Sequence, residues 1–323
     1  MFKLKKILWS PHIIWSNKIK GFVSCRDLGV CLLVLGDGKM IRIMIYKNFL
    51  ENRNAVAGVI EAFLLVALVA IVLSTIQLAY IPQVMEQREA DHMDDVSNQF
   101  SYLKSVIDIQ SITESEAPMV SQLTLGSKEL PYFITARAFG SLTIPSEGFR
   151  IVVEADSSGN ISLKSIKYEA YNSYFVDQTY VLEGGGIIVK QSTGASVMIV
   201  DPSISVANET KIILRFYMPN ILDIPGKNST YGYRKCFIRT NYSSPPQYYN
   251  YTNVESIKIY TEYTNAWNES LHNLLGDVVN ISKQPVESPT YVEITPNGAI
   301  GKIVDLQIKI MNIHAQISPG WIK

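Results

Sequence analysis

The chain has 323 residues and carries 29 basic and 29 acidic side chains, so its formal net charge is zero. The basic residues form no stripe, which excludes a protein that binds nucleic acid through a positively charged surface. Three cysteines in the whole chain exclude a disulfide-rich secreted scaffold.

The first 54 residues are basic, with ten Lys or Arg against three Asp or Glu. Residues 2–38 show no clean helical or strand period, and their longest apolar run is too short to span a bilayer. We interpret residues 1–54 in one of two ways: the whole stretch is a cytoplasmic leader, or only its C-terminal part is. In the second case translation begins at Met40 or Met44, and residues 1–39 or 1–43 are not translated.

An apolar run follows, from Val59 to Ile81, and Glu61 is its only charged residue. At about 1.5 Å per residue the run spans roughly 34 Å, enough for a bilayer core of about 30 Å. The alternative is a helix in the core of a soluble protein. The pattern predicts a transmembrane helix over residues 55–81.

The charges on either side of this run predict its orientation. The ten residues from Glu86 to Asp95 hold five acids and a single base, Arg88. By the positive-inside rule the N-terminus is cytoplasmic and the chain beyond residue 82 is extracellular, in a single-pass protein of the cell membrane.

An amphipathic helix is expected over residues 82–111, continuing the apolar helix through Pro82. Apolar residues recur at steps of three and four, and the acids are expected on the opposite side. The residues of this apolar stripe are Met85, Val96, Phe100, Leu103 and Ile107.

From about residue 112 the pattern is typical of β-strands, with β-branched and aromatic runs divided by Gly, Pro, Asn and Ser. We expect residues 112–323 to form an all-β, antiparallel sandwich-like head with one short helix, folding as a soluble unit by itself. Gly184–Gly186 predicts a tight turn or a bulge. Residues 222–253 are rich in Tyr, Asn, Ser and Pro and are expected to be loops.

Seven N-x-S/T sequons lie beyond the apolar run, and none lies before it. An Asn-, Ser- and Thr-rich composition would produce some of them without any modification. The other interpretation is a surface domain glycosylated on exposed loops and strand ends. The candidate asparagines are Asn160, Asn208, Asn228, Asn241, Asn250, Asn268 and Asn280.

No catalytic or cofactor-binding pattern stands out. The four histidines are scattered, and no zinc, nucleotide or serine-hydrolase motif occurs. We expect neither an enzyme nor a resident metal or cofactor. Cys236, the only cysteine beyond the apolar run, is expected to be a small buried hydrophobic residue.

The segment ENRNAVAGVIEAFLLVALVAIVLS resembles the N-terminus of archaeal type IV pilins and related pilin-like surface proteins. Those families carry a class III signal peptide: a basic leader, a cleavage site and then a hydrophobic helix. Arg53 matches the basic residue before the cut, and Val59 and Ile60 match the mature start. The resemblance covers about 30 residues, and Asn54 departs from the family pattern.

The resemblance implies that a prepilin-type signal peptidase removes the leader. The cut would fall after Ala55, before Val56 or Ala57. Ala57–Gly58 stands where Ser-Pro is common in the family.

Glu61 resembles the early-helix glutamate of bacterial pilins, although it is the sixth residue counted from Val56 and not the fifth. A carboxylate in lipid without a partner costs about 2.5 kcal/mol or more. Its partner would be the new α-amino group of a neighbouring chain's Val56. Alternatively, Glu61 lies in the lipid headgroup zone.

The resemblance implies a filament subunit or minor pilin that self-associates, or joins other pilin-like subunits, through its N-terminal helix. The alternative is a permanently anchored envelope protein whose head binds a ligand, a polysaccharide or an S-layer partner.

Overall fold

A computed structural model describes residues 21–26, 30–35, 40–44, 53–127, 138–146, 148–208, 210–284 and 290–318, and of residues 21–57 the backbone alone. The chain divides into two compact units, Met1–Ile76 and Gln77–Lys323.

The first unit contains a small antiparallel sheet and an apolar helix. The sheet has the order β1-β2-β3 and is built from Gly21–Arg26 (β1), Val30–Leu35 (β2) and Met40–Met44 (β3). No strand period in the sequence identifies this stretch, yet these three strands form there. The helix, α1, runs from Arg53 to Thr75.

A π-helical turn, Ile76–Tyr80, follows α1 and leads directly into α2, Ile81–Thr113. Pro82 lies in the first turn of α2. A proline has no N–H to donate to the carbonyl four residues back, and its ring needs room there; the wider π turn relieves both constraints. The prediction that the helix continues past Pro82 is confirmed.

The rest of the second unit is β-rich, as expected, with one short helix. The helix is α3, Thr264–Leu275. The strands are β4 Met119–Thr124, β5 Phe139–Thr143, β6 Phe149–Glu154, β7 Gly159–Leu163, β8 Ile166–Tyr171, β9 Gln178–Glu183, β10 Gly186–Gln191, β11 Ser196–Val200, β12 Ser203–Asn208, β13 Ile212–Asp223, β14 Ser229–Gly232, β15 Lys235–Tyr242, β16 Gln247–Tyr251, β17 Ser256–Tyr260, β18 Val279–Lys283, β19 Tyr291–Pro296 and β20 Val304–Ser318.

These strands form three sheets. The first has the order β11-β10-β9-β8-β5-β14, the second β12-β13-β20-β15-β4 with β16 also on β20, and the third β18-β19-β17-β6-β7. The expected antiparallel pairing is wrong at one place, because β13 and β20 run parallel over twelve residue pairs. The second sheet is therefore mixed.

Two apolar cores fill the spaces between these layers. The α2 core joins α2 to strands of the first and second sheets, with Phe100, Tyr168 and Ile313 among its buried residues. The α3 core joins α3 to the third sheet and parts of the other two, with Trp267 and Phe216 at its centre.

The longest strand, β20, belongs to both cores. Its even-numbered residues from Val304 to Ile310 lie in the α3 core, and its odd-numbered residues from Met311 to Ile317 lie in the α2 core. Pairing with β13 continues through this change without a register shift, so the buried face itself changes, since neighbouring side chains point to opposite faces. The two cores therefore lie on opposite faces of the second sheet. Continued alternation from Val304 to Ile310 would place Met311 on the solvent side, but Met311 is buried in the α2 core.

The composition of residues 222–253 predicted loops, and this prediction is wrong. The strands β14, β15 and β16 lie there. In β15 the buried side chains are Cys236, Ile238, Thr240 and Tyr242, whereas Phe237 is on the other face. A polar residue inside and an aromatic residue outside hide the alternation that identifies a strand.

The predicted tight turn at Gly184–Gly186 is confirmed. Gly184 and Gly185, with φ of +57° and +87°, form the two-residue connection between β9 and β10. A Cβ on Gly184 would also lie 2.9 Å from the Trp267 ring. Both the backbone angle and the contact require glycine at this position.

Candidate membrane and assembly segment

The first candidate feature is the surface of α1, which is apolar on every side. Phe63, Leu64, Leu65 and Val66 follow one another and are 58 % to 71 % exposed. Four consecutive residues point in all directions around a helix, so no polar side remains. Such a surface requires a non-aqueous environment or a partner, because exposed apolar area in water is unfavourable.

The helical stretch from Gly58 to Thr113 contains a segment long and apolar enough to cross a membrane, and the described residues bury none of that segment. Its length and composition are the evidence for a span.

Glu61 is exposed near the N-terminal end of this surface. Ala55, Val56 and Ala57 occupy the first turns of α1; of these three the structure gives the backbone. Residues 45–52, the part of the leader just before them, fall outside the described residues.

The next helix, α2, is fixed in the second unit by a buried carboxylate. Glu89 is fully buried and accepts hydrogen bonds from the backbone N–H groups of Ser173, Tyr174 and Phe175 at 3.1, 2.7 and 2.7 Å. These three donors lie in the connection between β8 and β9. Three bonds from backbone donors compensate a carboxylate for its lost water.

The expectation that the acids lie opposite the apolar stripe is wrong for Glu89, whereas Glu86, Asp91, Asp94 and Asp95 are exposed as expected. The spacing of Glu89 in the sequence indicates its burial. Glu89 lies four residues from Met85 and four from Met93, both buried, and is therefore on the buried side of the helix.

His92, one turn further, is also buried on α2. Its Nε2 lies 3.2 Å from the hydroxyl oxygen of Tyr168, and that hydroxyl donates to the carbonyl of Leu125 at 2.8 Å. Because the Tyr168 hydrogen is committed to Leu125, His92 donates through Nε2–H. Burial is the main cause that lowers the pKa of His92 below 6.5.

A second buried carboxylate, Glu183, ends β9 in the α3 core. Its Oε1 accepts hydrogen bonds from Thr261 Oγ1 at 2.6 Å and from Trp267 Nε1 at 2.9 Å. Burial raises the pKa of Glu183 to about 7, and the two donors oppose that rise. Sequence reasoning missed this residue, since nothing in its local pattern distinguishes it from a solvent-exposed glutamate at a hairpin turn.

The sequon asparagines differ in exposure. Asn160, Asn250 and Asn280 are exposed, Asn228, Asn241 and Asn268 are half-buried, and the side chain of Asn208 falls outside the described residues.

Three of them use the amide nitrogen that a glycan would occupy. Asn228 donates to Asp223 at 3.2 Å, Asn241 to the carbonyl of Tyr242 at 3.3 Å, and Asn280 to the carbonyl of Pro296 at 3.4 Å.

Among the described residues no group of three His, Cys, Asp or Glu side chains could hold a metal ion. Cys236 is a buried free thiol, as expected, and burial raises its pKa to about 12. It is therefore a poor nucleophile at neutral pH.

Comparison with known proteins adds no family to these observations: no family model, curated protein or solved structure matches the chain.

Proposed function

We propose that this chain is a pilin-like cell-surface protein of the archaeal type, anchored by α1 and acting as a filament subunit or minor pilin. It displays a glycosylated, sandwich-like β head outside the cell. The observation that supports the proposal most is the surface of α1, which is apolar on all sides and, within the described part of the chain, is not buried over a membrane-length segment.

Two environments satisfy that surface. In the membrane, lipid covers it, and 23 helical residues at about 1.5 Å each match a bilayer core of about 30 Å. In a filament, the same surface packs against α1 of neighbouring copies. One exposed helix that serves both states is what a subunit moving from membrane to assembly requires.

The orientation in this proposal places the basic N-terminal residues in the cytoplasm and the second unit outside. The leader is then removed at the cytoplasmic face, before Val56 or Ala57, by a prepilin-type signal peptidase. The new α-amino group pairs with Glu61 of a neighbouring chain.

Mass spectrometry of the protein from its native membrane tests the cleavage. We expect a mature N-terminus at Val56 or Ala57. An intact peptide spanning residues 44–55 in the native protein would overturn the pilin assignment and leave a permanent anchor.

Assembly is tested separately with Glu61→Gln. We expect normal membrane insertion and a loss of assembled material, measured by sedimentation of detergent-free surface fractions. Glu86→Gln is the matched control, because Glu86 is also an exposed helical glutamate but lies beyond the apolar surface. Equal assembly of both variants would place Glu61 in the headgroup zone.

The permanently anchored envelope protein remains the second candidate function, since the head also exposes a group of aromatic side chains on its first sheet, including Tyr171 and Tyr231. Such a surface fits a protein whose head binds a ligand.

A further inference from the structure

Three aromatic side chains lie side by side on neighbouring strands at one end of the first sheet. Phe139 on β5 is paired with Tyr171 on β8, and Tyr231 on β14 is paired with Ser141 on β5. The intervening residues of these strands, such as Tyr168 and Leu142, point into the α2 core. The aromatic side chains therefore share the opposite, outward face.

Their rings pack against one another, and those of Tyr171 and Tyr231 are exposed. The rings of Tyr231 and Phe139 are nearly parallel, with an interplanar angle of 6° and centroids 5.9 Å apart. The ring of Tyr171 lies 6.2 Å from that of Tyr231, and the ring of Tyr233 packs edge-on against Phe139. Tyr231 is 66 % exposed and Tyr171 is 47 % exposed.

A polar cluster borders these rings on the same face. Glu169 accepts hydrogen bonds from Ser141 Oγ at 3.3 Å and from the Tyr171 hydroxyl at 3.5 Å, and it pairs with Lys167 at 2.8 Å. The Lys167 ammonium holds the pKa of Glu169 below its usual range. Both charged side chains keep contact with water, with 26 % of Lys167 and 35 % of Glu169 exposed.

We propose that this aromatic platform, formed by Tyr171, Phe139 and Tyr231 and bordered by Glu169 and Lys167, binds the pyranose rings of an oligosaccharide that comes from outside the chain. The inference rests on the second unit alone, so it holds whether or not α1 assembles into a filament.

The chemistry of a sugar matches both parts of the surface. A pyranose ring has one face of C–H groups, which stacks on an exposed aromatic ring, and a rim of hydroxyls that both donate and accept hydrogen bonds. Glu169 offers acceptors and Lys167 offers donors within side-chain reach of that rim. An apolar protein partner would instead remove this pair of charges from water and offer no polar group to replace that contact, which is unfavourable.

Calorimetric titration of the full-length chain tests the proposal. The protein is made in a bacterial host that adds no N-glycans, and it is kept in a zwitterionic detergent without a sugar headgroup, so that no other sugar competes. The probes are cellohexaose, chitohexaose and mannohexaose. We expect at least one of them to bind to the unmodified chain.

Three variants of one ring then separate stacking from apolar contact. Tyr231→Ala is expected to weaken binding about fivefold or more, the size of a lost aromatic contact. Tyr231→Phe keeps the ring and is expected to bind within about twofold of the unmodified chain. Tyr231→Leu keeps apolar area without a π face, and it should bind as weakly as the alanine variant.

The matched control is Tyr248→Ala, because Tyr248 is 65 % exposed but lies on β16, in a different sheet. It is expected to leave binding unchanged. Unchanged melting temperatures would show that each variant is folded.

Three outcomes would overturn the proposal. The first is that no probe binds with a Kd below about 10 mM. The second is that Tyr248→Ala weakens binding as much as Tyr231→Ala. The third is that Tyr231→Leu binds as well as Tyr231→Phe, which would indicate apolar docking.

Discussion

The two helices α1 and α2 follow each other in the chain, yet they bury their side chains in opposite ways. Large apolar side chains of α1 such as Phe63 are exposed, at 71 %, whereas Phe100 on α2 is fully buried. The surface of α1 is apolar on every side and needs lipid or another chain to cover it. The surface of α2 is apolar on one side, and that side completes a core within the chain. Helical propensity does not distinguish them, but the distribution of apolar residues around each helix does.

The largest expected effect on folding comes from truncation, by comparing a chain that begins before α2 with a chain that begins near its end. A chain beginning at Gln77 keeps α2 and is expected to fold and remain soluble. A chain beginning at residue 112 lacks Met93, Val96, Phe100, Leu103 and Ile107, which belong to the α2 core. At about 1.5–3 kcal/mol for each buried side chain, their loss matches the whole stability of an ordinary domain.

We therefore expect residues 112–323 alone to be unfolded or aggregated, although the strand pattern in the sequence predicts an independent head. Circular dichroism and size-exclusion chromatography of the two chains provide the measurement. If the shorter chain melted cooperatively at the same temperature as the longer one, α2 would be dispensable to the core.

A matched pair of phenylalanines tests the same contrast with single substitutions. Phe100→Ala is expected to lower the free energy of unfolding by about 3–5 kcal/mol, because it leaves a cavity in the α2 core. Phe63→Ala changes an exposed side chain of α1, and the free energy of unfolding should stay within about 0.5 kcal/mol. Thermal unfolding of the full chain in detergent, followed by the near-ultraviolet signal of the β-rich unit, compares them. Similar losses for both would contradict the division of roles.

The sequence predicts the broad architecture because the signals are local. A largely apolar run of 23 residues, a stripe at helical spacing and β-branched segments each indicate their own environment. The position of Glu89 was readable in the same way, from its spacing to Met85 and Met93.

Other features depend on contacts between distant residues and have no local signal. The parallel pairing of β13 with β20 joins segments about 90 residues apart. The change of buried face within β20 follows from which layer covers each half. Glu183 is buried because Trp267 and Thr261 meet it from another part of the chain.

The next largest effect is the pH dependence of the free energy of unfolding. It compares Glu183, which lies outside α2, with His92, which lies on α2. The pKa of Glu183 rises from 4.5 to about 7 on folding. Between these pH values the folded chain binds more protons than the unfolded one, so the free energy of unfolding falls as pH rises, by about 3 kcal/mol over the window. Glu183→Gln keeps an acceptor for Thr261 and Trp267 and should abolish this fall.

His92 on α2 acts in the opposite direction. Its pKa is lowered in the folded chain, so the stability it contributes is present above pH 6.5 and is lost as the pH falls below that value. Denaturant titrations at several pH values in the Glu183→Gln chain should therefore show stability decreasing on acidification. A fall in stability from pH 4.5 to 7 that persists in this variant would assign the effect to another group.

The smallest effect compares the helical carboxylates Glu61 and Glu89. Glu89→Gln retains one acceptor oxygen, but it places an amide NH2 near backbone N–H groups of residues 173–175 that now bond to a carboxylate. Hydrogen bonds to charged groups contribute about 1.5–3 kcal/mol, so we expect a loss of about 2 kcal/mol in the free energy of unfolding. Glu61→Gln alters an exposed residue of α1 and should leave that free energy unchanged within about 0.5 kcal/mol.

Denaturation of both variants in the full chain measures the difference, and hydrogen exchange at residues 173–175 locates it. If the two variants unfolded at the same denaturant concentration, the bonds from the β8–β9 connection to Glu89 would not stabilise the attachment of α2 to the strands.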